Sequence, residues 1–511
     1  MEQARIIANA EFRVFWGGIS LPMTAMSEEV AAAFAAGPGK VRLTLGAGAI
    51  SGSALEILVQ APFPLELRDV AAFNDEQVRI LATAPDRALG GPFGMRPKLA
   101  APGVKSLDSA LLATTLLRSA GAFPGVTRIS PEAAAALGSV PAAETDQAAR
   151  TGRATGLSFP SLETLDDESA RLLASRPWSG ISLPALRDLS PEAVRLLARQ
   201  TSSLELGIGT LTPEVATACG DMASDRTNLG GGLLTFSALT DLSPEAARNL
   251  VRALNRGNEI QGPTGKGLDR SPQLFLGGHL PMAFGPPLTA AVAAELAAYR
   301  GRLSIAGIRQ LSPEAAAALA AYRGPMLDLA GPGVAALEPE SAAALAECPV
   351  KLNIDLRRLD SLPLVERFRR TGDRLDDLEF ISAEVIAAYG QRGGFFTLRK
   401  LPVLDSPELA ARLIQDSSGE VLPALQRITP AAAEVLVTSP NKVVLGLRVL
   451  DDPEVATILT TAKKGVMLPR LRAVTPAVIA ILKTTRSIET PFIGELYVHG
   501  QGDSDDIPVD R

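Results

Sequence analysis

Aromatic side chains make up only 4% of this 511-residue chain, which holds just two cysteines, Cys219 and Cys348, and two histidines, His279 and His499. Two thiols cannot build the disulfide framework of a small secreted domain. The histidines belong to no cluster of Cys, His and acidic residues with a metal-ligand spacing, so no metal or other cofactor is expected. Glu495 and Asp503 stand four residues either side of His499, but Gly500 and Gly502 disfavour the helix that would present all three. No run approaches the 18 apolar residues of a membrane span. Positive charge is not in excess either: 50 Lys and Arg against 56 Asp and Glu give a net charge of −6. Without a broad electropositive field, nucleic acid is not an expected partner. The most basic stretch, 351–400, has 10 Lys and Arg against 8 Asp and Glu, and its knot of Arg367, Arg369 and Arg370 reads as solvated helix surface. The opening MEQARIIANAEFRVFWGG includes Glu2 and Glu11 and lacks a sustained apolar core, unlike a secretory signal. The default expectation is the cytoplasm, although a receptor-read secretion signal would leave no such trace.

What the chain has in quantity is Ala, Leu, Gly, Pro and Arg, a bias expected of a high-GC bacterial genome, and one recurring phrase. Clear copies are LSPEAVRLLA from Leu189, LSPEAARNLV from Leu242, LSPEAAAALA from Leu311 and LEPESAAALA from Leu337. The helix-capping residue serves as an anchor, giving Ser27, Ser51, Asn74, Asp108, Ser130, Asp166, Ser190, Thr212, Ser243, Thr289, Ser312, Glu338, Ser361, Ser382, Ser406, Thr429, Asp452 and Thr475. Of the 17 intervals between these 18 anchors, 13 fall between 21 and 26 residues. A fixed period in this range predicts a stacked solenoid. The two cysteines sit four repeats apart, beyond the roughly 7 Å that a disulfide spans. Cys219 lies seven residues after its anchor, where other repeats carry Leu197, Leu250 or Leu319, and is expected to replace a buried leucine.

Residues 302–324 show the unit most cleanly. Leu303 and Ile305 alternate with Ser304 and Ala306 as in a half-buried strand, and Ile308 and Leu311 then turn inward. Ser312 can accept from the first helical amides, Pro313 supplies a preset φ, and Glu314 places negative charge at the positive helix end. Ala316 and Leu319 share one helical face, and Gly324 supplies a stop. The predicted unit is strand, turn, helix. The consensus LxLxxLxxL followed by a capped helix resembles the leucine-rich repeat family over most of the chain. The chain departs from the family in lacking its asparagine ladder, since in the unit spaced as the family requires Pro332 holds that position. The resemblance implies an α/β, right-handed, curved solenoid of about 18 strand-turn-helix repeats, with a parallel sheet on the concave face. Strands about 4.8 Å apart and helices at least about 8 Å apart agree with such a bend.

Four long intervals add residues near 86–104, 140–156, 220–232 and 255–287, each after a helix and before the next strand, so all are expected on one rim. The interval of 46 between Ser243 and Thr289 reads as an insertion rather than a degenerate repeat. Its Gly265-Lys266 pair fails as a phosphate loop, because Ile260 and Gly267 stand where a Gly and a Ser or Thr are required. Glu132, Glu192, Glu214, Glu245, Glu314 and Glu340 each follow a cap and a proline, so helix electrostatics explain them better than acid catalysis. The tail acids Asp503, Asp505 and Asp506 lack the Gly and distal Glu of a calcium loop. Outward strand positions are Arg42, Thr44, Glu66, Ser182, Glu205, Ser304, Asp328, Asn353, Asp355, Thr397 and Arg399.

The expected organisation is a lead-in over 1–11, a solenoid over 12–493 and a flexible acidic tail over 494–511. The solenoid divides into an irregular part, 12–288, that carries the insertions, and a regular part, 289–493. With no visible nucleophile, base and oxyanion constellation, the expected function is a non-enzymatic scaffold that binds protein. An enzyme with a site built from the rim insertions and a self-associating structural protein are the alternatives. Candidate contacts are Lys266, Arg270, Phe275 and Phe284 on the longest insertion, or Asp328, Asn353 and Asp355 on the sheet face.

Overall fold

The computed structural model describes residues 19–21, 26–36, 43–45, 50–61, 65–68, 70–83, 99–119, 122–141, 156–222, 233–260, 273–276, 288–308, 310–329, 336–371, 378–389, 400–416, 421–485, 487–490 and 497–498. The chain divides into two compact units, Met1–Pro286 with Tyr299–Ser304, and Pro287–Ala298 with Ile305–Arg511. Each is built from repeating α/β elements.

The structure contains 18 helices among the described residues, and each follows one of the anchors of the repeat. The hydroxyl, carboxylate or amide oxygen of the cap accepts from a backbone amide in the first turn, as at Ser190 (3.0 Å from Ala193 N) and Ser312 (3.2 Å from Ala315 N). Three anchors differ from expectation, among them Ser361, whose side chain makes no cap bond among the described residues. The helix Ala110–Ser119 is capped by Ser109 rather than Asp108, with Leu112 N 3.3 Å from Ser109 Oγ. Glu338 occupies the cap position without making a side-chain cap bond. Its longer side chain lacks the short reach of Ser or Asp, and Pro339 and Glu340 remain as the start signals.

The strands before these helices pair in parallel. In the first unit Ile19–Leu21, Leu43–Leu45, Leu65–Leu67 and Leu99–Ala100 lie side by side in chain order. So do Gly156–Ser158, Gly180–Leu183, Ser203–Leu206, Leu233–Phe236 and Gln273–Leu276. In the second unit Met326–Leu329 pairs with Lys351–Ile354, and Val421–Leu422, Val443–Leu445, Val466–Met467 and Ile488–Glu489 form another ordered set. Inward strand residues such as Leu204, Leu206, Leu327 and Leu352 are buried with helix residues such as Ala193, Leu197, Ala316 and Leu319. Cys219 is buried at the leucine position of its helix.

The unit is not simply strand, turn, helix. Many repeats carry a second, two-residue strand just before the helix, giving parallel pairs such as Ser106–Leu107 with Arg128–Ile129 and Val403–Leu404 with Arg427–Ile428. In five such pairs one carbonyl accepts from two successive amides of its neighbour. Lys105 O receives Thr127 N and Arg128 N, Gly209 O receives Thr240 N and Asp241 N, and Arg357 O receives Glu379 N and Phe380 N. Pro402 O receives Gln426 N and Arg427 N, and Arg448 O receives Arg472 N and Ala473 N. Two residues opposing one is the count of a β-bulge.

An alternation in the sequence matches this pattern. Leu-Asp precedes the cap at Ser109, Ser361, Ser406 and Asp452, whereas Ile or Val directly precedes it at Ser130, Ser382, Thr429 and Thr475. The extra Asp displaces the cap by one residue, which is why Ser109 rather than Asp108 starts its helix. The hydroxyls of Ser130, Thr429 and Thr475 reach back to the carbonyls of Asp108, Asp405 and Asp451 at 3.3, 3.3 and 3.4 Å.

Between the two strands of a repeat, backbone groups rather than an asparagine ladder satisfy the corner. The first corner amide donates to the neighbouring repeat, as in Phe159 N to Ser182 O at 2.9 Å, Gly207 N to Leu183 O at 3.0 Å and Gly446 N to Leu422 O at 2.9 Å. A short turn then closes within the repeat, as in Leu186 N to Leu183 O at 3.2 Å and Leu425 N to Leu422 O at 3.3 Å. The close approach leaves no room for a side chain: a Cβ on Gly207 would stand 2.0 Å from Pro184 O, and one on Gly446 2.3 Å from Pro423 O.

Arg367 does not lie on a solvated face. It is 1% exposed, and its guanidinium donates to the carbonyls of Cys348 and Val350 just beyond the preceding helix. Arg176 has the same role toward Val140 O, at 2.5 Å, while stacking 3.9 Å from the Trp178 ring. A fixed fork of donors suits carbonyls that have left a helix without partners. Arg370 is exposed.

Two stability predictions follow from these roles. Truncating Leu319 to Ala should cost about 2–5 kcal/mol through the cavity left, against about 1 kcal/mol for Ser312→Ala; equal shifts in unfolding midpoint would contradict these roles. Gly207→Ala should cost about 1–3 kcal/mol through overpacking. Gly209→Ala is its control, because a Cβ there meets nothing closer than 3.6 Å and should leave the midpoint almost unchanged.

Candidate interaction surfaces

Parallel register places outward side chains in files. In the first unit Ser158, Ser182, Glu205 and Thr235 align across successive strands, with the Phe275 backbone next in register. Ser182 Oγ donates to Glu205 Oε2 at 2.7 Å. The backbones of Ser20, Thr44 and Glu66 are in register likewise, and the buried Glu66 carboxylate accepts from Arg68 Nε at 2.8 Å. In the second unit Asp328 faces Asn353, whose Nδ2 donates to Asp328 Oδ1 at 3.0 Å. Asp328 is only 8% exposed and Ser304 5%, while Asp355, one residue beyond its strand, is half-buried. Carboxylates on this face therefore have lateral partners.

Of the candidates on the longest insertion, Lys266, Arg270 and Phe284 lie outside the described residues, as do Arg42, Thr397, Arg399, both histidines and the Gly265-Lys266 pair. Phe275 belongs to the strand Gln273–Leu276 rather than to a rim loop, in register with Thr235. The segment 255–287 is thus not all loop: the helix Pro244–Ile260 runs into it and this strand crosses it. At the other end Tyr497–Val498 pairs with Ala473–Val474, so the expected tail 494–511 includes a strand. The remaining tail and the lead-in 1–11 lie outside the described residues.

The second strands create a surface that the sequence pattern did not disclose. In the second unit this ledge carries the exposed Arg357, Arg358, Gln426, Arg427, Arg448 and Arg472. At one end the arginines are paired. Arg358 Nε lies 2.8 Å from Asp360 Oδ2 and its guanidinium 4.1 Å from the ring of Phe380, which is 41% exposed; Arg357 lies 3.6 Å from Glu379. At the other end Arg427, Arg448 and Arg472 have no ion pair among the described residues. Arg472 N donates to Arg448 O at 2.8 Å, so these two are ladder neighbours. Arg470 reaches back past the Arg448 corner, with Nη1 2.9 Å from Pro423 O in the turn that precedes the Arg427 strand. Only the alternation of Leu-Asp caps with Ile-Thr or Val-Thr caps could have signalled this ledge from sequence.

Two helix-start glutamates, Glu314 and Glu408, are held toward the anionic form. Accepting its own backbone amide, and then the Ser312 hydroxyl, holds the Glu314 carboxyl below the usual range; Glu408 is held down in the same way with Ser406. Such groups stabilise helix ends and are poor proton donors at neutral pH. Among the described residues no group of three His, Cys, Asp or Glu is placed to hold a metal ion. No described helix is long and apolar enough to cross a membrane. No protein-family model matches the chain, and no curated protein matches it in sequence.

Cys219 gives a pH prediction. Burial pushes its thiol up to about 12, whereas an unfolded cysteine ionises near 8.5. The folded state keeps the proton that the unfolded state loses, so stability falls as pH rises from about 9 toward 12. Cys219→Ala should flatten that decline in pH-dependent unfolding; an unchanged slope would show that the thiol does not contribute to it.

Proposed function

We propose that the chain is a non-enzymatic scaffold that binds protein, built as a leucine-rich-repeat-like, right-handed curved solenoid within each unit, with its main strands on the concave side. The observation that carries this reading is register: equivalent outward positions from successive repeats align in files, which is how a repeat fold makes an extended surface. Right-handed crossovers between parallel strands and the wider spacing of helices than strands support the handedness and the bend. A protein partner fits the scattered polar groups and the mixed charge better than nucleic acid, which needs a contiguous basic surface. A cytoplasmic place belongs to the same reading.

Native cross-linking followed by affinity purification of the full chain should retain a polypeptide other than the chain itself in near-stoichiometric amount. Replacing Gly262 to Arg270 by a Gly-Ser linker then tests the insertion, and Asn353→Ala with Asp355→Ala tests the sheet face; one change should weaken capture while the unfolding midpoint stays. Turnover of a co-purifying small molecule would contradict the scaffold in favour of an enzyme, and retention of the chain alone would favour self-association.

A further inference from the structure

We infer that the ledge formed by Arg427, Arg448, Arg470 and Arg472 in the second unit is a docking surface for an acidic polypeptide segment. The assignment rests on the scaffold reading for the class of partner and adds the site and the chemistry. Several exposed arginines elsewhere are paired with carboxylates, Arg171 with Glu168, Arg195 with Glu192, Arg199 with Asp221 and Arg358 with Asp360, while others such as Arg187 and Arg252 stand singly among the described residues. On this part of the ledge three exposed guanidiniums have no ion pair among the described residues. Asp405, just past the strand that pairs with the Arg427 strand, and Asp451, three residues after Arg448, are exposed but form no ion pair with these arginines.

The backbone gathers these charges. Arg448 and Arg472 stand on adjacent rungs because Arg472 N donates to Arg448 O, and the Arg470 side chain spans the corner between them and the Arg427 repeat by bonding Pro423 O. Like charges drawn together weaken each other's stability, and a guanidinium is well matched to a carboxylate through two parallel N–H donors. A polypeptide can space its Asp and Glu between Asp405 and Asp451. The uniform charge of a phosphate backbone cannot avoid them.

The test uses a fluorescent 12-residue probe alternating Glu with Gly and Ser, an uncharged Gln version, a 12-nucleotide single strand, and phosphatidylserine vesicles. It also uses the chain with Asp503, Asp505 and Asp506 changed to Asn, so that occupancy by its own tail acids cannot hide binding. The Glu probe should bind either chain at least tenfold more tightly than the Gln probe, and more weakly as salt rises. Arg427→Glu with Arg448→Glu and Arg472→Glu should weaken it at least tenfold without moving the unfolding midpoint; if that variant does not fold, the three Gln substitutions provide the same comparison. Arg195→Glu with Arg199→Glu should leave binding intact. Absence of Glu-probe binding to both chains, binding that ignores the ledge substitutions, or ledge-dependent preference for the nucleotide strand or the vesicles would overturn the inference. A protein partner captured by the full chain and indifferent to these arginines would overturn the ledge alone and leave the scaffold standing.

Discussion

Every chain reversal buries amides and carbonyls that need partners, and a fold that reverses direction in each repeat must solve that problem many times over. The structure answers with hydrogen bonds between neighbouring repeats. Main strands supply one set, the first corner amide continues it, and the short second strands add another. Side chains close the remaining gaps: caps bond the first helical amides, Thr429 and Thr475 reach the carbonyl of the preceding repeat, and Arg176 and Arg367 satisfy carbonyls just past a helix. The need for close backbone approach explains why Gly207 and Gly446 carry no side chain.

The helices were legible because their signals are local and redundant. A cap, a proline, an acid and apolar residues at helical spacing coincide at Ser190 and Ser312, and even Cys219 could be placed by counting from Thr212. The second strands were not legible, since two residues carry no periodicity. Asp108 was misread as a cap because Asp serves equally well as cap or spacer, and only the bond from Leu112 N to Ser109 Oγ separates the two. Arg367 looked like surface because composition does not show that two carbonyls await it. Phe275 looked like loop because its strand follows a glycine-rich stretch.

For the candidate sites, the sequence located outward positions but not their occupation by one another. Glu205 and Asp328 read as available acids, yet Ser182 and Asn353 bond them. A surface whose polar groups are already matched offers less to a partner than one whose charges are not. That contrast separates the main strand face from the ledge, where Arg427, Arg448 and Arg472 lack ion pairs among the described residues. The Glu314 carboxylate is likewise engaged, by its own backbone amide and the Ser312 hydroxyl.

Central to this account is the claim that short second strands tie neighbouring repeats together, mostly two by two. Amide hydrogen exchange resolved to single residues tests it most directly. The amides of Phe380, Arg427 and Ala473 should be protected to about the same extent as those of the main strands, such as Leu445. Exchange of these three as fast as exposed turn amides, with Leu445 still protected, would contradict the account.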